Sequence, residues 1–156
     1  MAGLDHEFLL VSCNEYNYSD YLKLLNNPQA VLLHDNLLSY LSDTLKWIPC
    51  YIPRSKNKLV EFEGLAYYGV TIIKEDGATI MRKIFNLWAD LLSNAPENLK
   101  LTGNFGWIEG EDSNSGKYEI IKIQRDEIVK SLRKIAGYAE EVENSGGKLF
   151  ILHLGL

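Results

Sequence analysis

The last eight residues of the chain, LFILHLGL, constrain the fold more than any other stretch. Leu149, Ile151 and His153 fall on one side-chain parity, and Phe150, Leu152 and Leu154 on the other. A strand that is apolar on both faces belongs in the middle of a sheet. A bilayer needs about 20 apolar residues, so this run is too short to cross one. His153 shares the parity of Leu149 and Ile151, so it is expected to be buried and hydrogen-bonded.

The rest of the chain alternates between two periods. EFLLVSC reads as a first strand over residues 8–13, apolar on both faces. The stretch from Asn27 to Pro49 reads as a helix: Asn27 as N-cap, Pro28 at the first helical position, and Val31, His34, Leu38, Leu41 and Leu45 on one stripe. Residues 50–58 read as a loop with Pro53. Over residues 58–73 the period becomes two, with a break expected at Gly64. A second helix follows, capped by Asp76, with Ile80, Ile84, Trp88 and Leu91 on one stripe, Met81, Phe85 and Leu92 beside it, and Pro96 beyond its end.

Leu99, Leu101, Gly103, Phe105 and Trp107 then alternate strictly, and residues 118–123 form the next strand. The Gly-, Ser- and Asp-rich segment 110–116 makes these two strands a hairpin. Parity places Trp107 with Leu101 and Phe105, facing the core. A third helix carries Ile128, Leu132, Ile135, Ala139 and Val142 and ends at Gly146 and Gly147. The expected fold is α+β, a two-layer sandwich of a mixed β-sheet covered by about three amphipathic helices, with residues 1–156 as one domain.

Composition narrows the function classes. Hydrophobic residues make up 46% of the 156 and charged residues 24%, the balance of a globular protein. The net charge of -5 argues against a nucleic-acid binder and is compatible with a basic protein partner. Two cysteines and no secretory leader suit a reducing cytoplasm. The histidines His6, His34 and His153 stand at no metal-ligand spacing, and no phosphate-binding glycine motif is present, so no cofactor or metal is expected. Cys13 with His34 or His153 is the one conceivable nucleophilic pair.

The remaining candidates are surfaces. Glu109, Glu111 and Asp112 follow Trp107 directly, an aromatic beside acids on a hairpin tip, which suits protein recognition. Glu61 and Glu63 share the polar face of their strand and join them as a candidate contact set.

The segments GLAYYGVTII, LTGNFGWIE and LFILHLGL, with IFNLWADLL between the first two, resemble small cytoplasmic bacterial proteins of the polymorphic-toxin immunity type, from about Gly64 onward. The resemblance implies a non-enzymatic inhibitor that binds one cognate toxin domain. It carries no site residues with it.

Overall fold

A computed structural model describes residues 4–55 and 58–156. Along the chain run β1 (Asp5–Ser12), a 3-10 turn (Asp20–Leu24), β2 (Val31–His34), α1 (Asp35–Leu45), β3 (Pro49–Ser55) and β4 (Lys58–Glu63). They are followed by β5 (Val70–Ile73), α2 (Glu75–Leu92), β6 (Asn98–Gly106), β7 (Lys117–Gln124), α3 (Arg125–Glu143) and β8 (Leu149–Leu154). Six strands form one sheet in the order β2-β1-β8-β5-β3-β4, and β6 and β7 form a separate two-stranded sheet. β8 therefore lies in the interior of the large sheet, as its two apolar faces require.

Each face of the sheet has its own core. Phe8, Val31, Leu33, Ile73 and Ile151 meet the helices, chiefly Leu37 and Leu41 of α1, Met81 and Phe85 of α2, and Leu132 and Ile135 of α3. Ala78, Ala89, Ala136 and Ala139 are fully or almost fully buried, and their small side chains let the helices approach closely. On the opposite face Leu9, Val11, Ile72, Phe150 and Leu152 are covered by the segment after β1, through Tyr16, Tyr18, Tyr21 and Leu24. The Lys74 ammonium lies over the rings of Tyr18 and Tyr51, at 5.2 and 4.9 Å from their centroids, and ties that segment to the sheet.

The α+β class and the three-helix cover agree with the sequence reading, and several details differ. Every pairing in the sheet is antiparallel, not mixed. The strands that α1 joins, β2 and β3, run the same way, but three strands separate them. Residues 31–34 are an edge strand paired with β1, and the helix begins only at Asp35. Asn27 caps a turn instead, its side chain accepting from the Gln29 N–H at 2.9 Å, and His34 is the N-cap, its Nδ1 accepting from the Asn36 N–H at 3.1 Å. Most of the expected loop is strand: residues 49–55 pair with residues 58–63, and residues 56–57 lie outside the described residues.

Two glycines fix the joints. Gly64 breaks the β4–β5 stretch with φ +75, and a Cβ there would meet the Lys46 Cα at 3.0 Å. At Gly77 a Cβ would stand 2.2 Å from the Pro49 carbonyl oxygen, so only glycine lets α2 lie against β3. Asp76 does not cap α2, whose N-cap is Lys74; it accepts from the Tyr51 hydroxyl at 2.8 Å.

Burial on β8 predicts a large contrast between two substitutions. Ile151→Ala opens a cavity in a fully buried site and should cost about 2–5 kcal/mol in chemical denaturation. Leu32→Ala, on the exposed side of edge strand β2, should cost under about 0.5 kcal/mol.

Candidate functional site

His153 meets a partner that no local pattern in the sequence announces. The ladder sets Phe8 and Thr71 on either side of it. His6, two residues before Phe8, lies on the same face, its ring stacked on that of His153 at 5.1 Å between centroids. The β2–α1 junction brings Asp35 to the other side of His6, held by its own N–H donating to the Leu4 carbonyl at 2.8 Å. Tyr67 completes the row from the loop before β5, which is pinned by the Leu156 N–H donating to the Tyr67 carbonyl at 3.0 Å.

Hydrogen-bond valence assigns one polarity to this row. A carboxylate only accepts, so Asp35 takes the Tyr67 hydroxyl at 2.9 Å and the His6 Nε2–H at 3.3 Å. Burial favours the uncharged His6 ring, so its Nδ1 accepts, and His153 Nε2–H donates to it at 2.9 Å. His153 Nδ1 accepts from the Thr71 hydroxyl at 3.2 Å, whose oxygen accepts from the Ala66 N–H at 2.9 Å. Every member is satisfied with both rings uncharged. Burial drives the His6 pKa down against the opposing pull of Asp35. Burial and then the neighbouring His6 push that of His153 down to about 3. Surface clefts of about 770 and 780 Å3 are lined by Ser12, Glu140 and Lys148 and by Lys46, Tyr51 and Glu63, and neither includes a residue of the row. The row braces β1, β5, β8 and α1 from inside.

The Cys–His pair is not assembled. Cys13 packs with Tyr18 on the opposite sheet face, while His34 caps α1. Burial pushes the Cys50 thiol up to about 12, far from a reactive thiolate. Among the described residues no cluster of three or more His, Cys, Asp or Glu is placed to hold a metal ion, and no helix is long and apolar enough to cross a membrane.

The open chemistry is on the β6–β7 hairpin. Leu99, Leu101, Ile121 and Ile123 face the helices and seat its root. The register then shifts between Thr102 and Phe105, so that Phe105 stands opposite Tyr118. Such a bulge moves the following side chains to the other face of the ladder. Phe105 packs edge-on against Tyr118 at 5.1 Å and beside Trp107 at 6.1 Å. Its ring lies so close over Gly116 that a Cβ there would stand 2.5 Å from Cζ. The expected inward parity of Phe105 and Trp107 is thus overturned: Trp107 is 55% exposed, and Ile108, Tyr118 and Ile120 are each more than 60% exposed.

Glu109, Glu111 and Asp112 follow at the exposed tip, where Asp112 Oδ1 accepts from the Asn114 N–H at 3.0 Å and shapes the turn. Glu61 and Glu63 are not part of this surface. They lie on edge strand β4 and line a cleft with Lys46, Tyr51 and Asp76. A second apolar groove, of about 200 Å3, runs between Trp47, Leu87, Trp88 and Leu91, with no charged residue in its lining. The hairpin joins a row of exposed aromatics to an acidic tip. Comparison with known protein families, curated proteins and solved structures finds no match to this chain.

The buried histidines predict acid sensitivity. Because the folded-state pKa is depressed, the unfolded chain takes up the proton first. Stability is therefore full above about pH 6.5 and is lost as the pH falls toward 3. Between pH 7 and pH 5 His153 alone should cost about 2 kcal/mol. Urea denaturation at both pH values checks this, and His153→Leu should flatten the dependence by that amount.

Proposed function

We propose that the protein acts by binding another protein, in the manner of an immunity protein that neutralises a cognate bacterial toxin in the cytoplasm. The observation that carries the reading is the outward row of Phe105, Trp107, Tyr118 and Ile120 on a hairpin whose root is packed into the core. Exposed apolar patches rimmed by charge mark interaction surfaces, and aromatic side chains dominate their energetics. A two-stranded ladder with one bare face also gains stability when that face is covered.

The acids at the tip and the net charge of -5 favour a toxin domain with a basic surface, because opposite charge speeds encounter. Inhibition by contact needs no catalytic group in the inhibitor. The likeness of GLAYYGVTII, LTGNFGWIE and LFILHLGL to immunity-type proteins supports the same reading.

Co-expression with the toxin domain encoded beside this gene tests it. The protein should restore growth, and Trp107→Ala with Ile120→Asp should weaken the complex at least about a hundredfold, the loss of a hot-spot pair, while leaving the circular dichroism unchanged. A wild-type protein that restores no growth beside that toxin would sink the proposal.

A further inference from the structure

Resting on the reading of the hairpin as a binding surface, we infer that its occupant in the free protein is a second copy of the same hairpin, packed face to face about a two-fold axis. Charge is segregated along the outer strip. At the root Lys100 and Lys122 stand directly opposite one another, two register steps from the Thr102–Ile120 pair and so on the same face of the ladder. Like charges directly across a ladder repel, and neither lysine has an ion-pair partner among the described residues. The middle of the strip is Ile120, Phe105, Tyr118 and Trp107. The tip carries Glu109, Glu111 and Asp112, which also have no ion-pair partner among the described residues.

A strip that is positive at one end, apolar in the middle and negative at the other is complementary to itself when turned end for end. A two-fold axis lying in the interface and crossing both strips at their middle does this. Each acidic tip then meets the other copy's lysine pair, and the two aromatic rows cover each other. Self-complementarity of this kind is the requirement of an isologous interface. Lys117 lies opposite Gly106 on the other parity, and Glu119 turns inward to accept from the Asn36 side-chain amide at 3.0 Å, so neither reverses the polarity of the strip.

A hairpin face of this length covers roughly 500 Å2 per copy, the small end of specific interfaces. The dimer is therefore weak and exchangeable, and a toxin domain can take the strip from the second copy. Sedimentation velocity between about 1 μM and about 1 mM should show a monomer–dimer equilibrium, with a dissociation constant of roughly 10–100 μM. Ile120→Asp should raise that constant at least about tenfold. Lys100→Glu with Lys122→Glu, and separately Glu109→Lys with Glu111→Lys and Asp112→Lys, should each leave a folded monomer. Mixing those two variants should restore a dimer containing one of each. A protein that stays monomeric at about 1 mM, or a dimer indifferent to these changes, overturns the inference. A monomer that still neutralises its toxin refutes the dimer and leaves the proposed function standing; a dimer that neutralises none does the reverse.

Discussion

The fold depends on covering a strand that has no polar face. β8 buries Leu149, Ile151 and His153 toward the helices and Phe150, Leu152 and Leu154 toward the segment after β1. Both layers must therefore be present at once. Placing a histidine on that strand adds a demand of a different kind, because a buried imidazole needs partners for both ring nitrogens. His6 and Thr71 supply them from the strands on either side, and Asp35 closes the row from the start of a helix, where a carboxylate also suits the helix dipole. The polar row and the apolar layers thus specify the same arrangement of β1, β5, β8 and α1.

Function, in this account, is built where that arrangement stops. The helical layer has room for the root of the β6–β7 hairpin and not for its full length. Leu101 and Ile121 are the last apolar pair turned inward. Beyond them the bulge turns the aromatic residues outward and away from the core. A rigid root and an open apolar end describe an arm suited to a protein partner, with the sheet keeping its position constant.

Legibility in the sequence followed the range of the interaction. β8 and the burial of His153 were readable because both parities of a short run are apolar, a purely local signal. α3 was readable for the same reason, with acids at its start and two glycines of positive φ after its end. β2 was not, because Val31 and His34 continue the three- and four-residue spacing of the helix that follows, and pairing with β1 decides between the two. β3 was hidden by Pro49 and Pro53, which the strand tolerates because its pairing with β5 is confined to Tyr51, between them. His6 and Asp35 are 147 and 118 residues from His153, beyond any spacing rule. The outward turn of Phe105 and Trp107 was hidden because strict alternation in sequence conceals a bulge in pairing. The two candidate acidic sets illustrate the same limit, since Glu61 and Glu63 resemble Glu109 and Glu111 in composition but lie on edge strand β4 of the large sheet, not at the tip of the β6–β7 hairpin.

Whether the aromatic row faces outward decides between a binding arm and an ordinary packed hairpin. Aromatic-to-side-chain nuclear Overhauser contacts in the native protein, at a dilution where it is monomeric, report on this directly. The account predicts contacts between the rings of Phe105 and Tyr118 and between Phe105 and Trp107, with none from Trp107 to Ile128 or Leu132 of the core. Contacts from the Trp107 indole to those core side chains would contradict it.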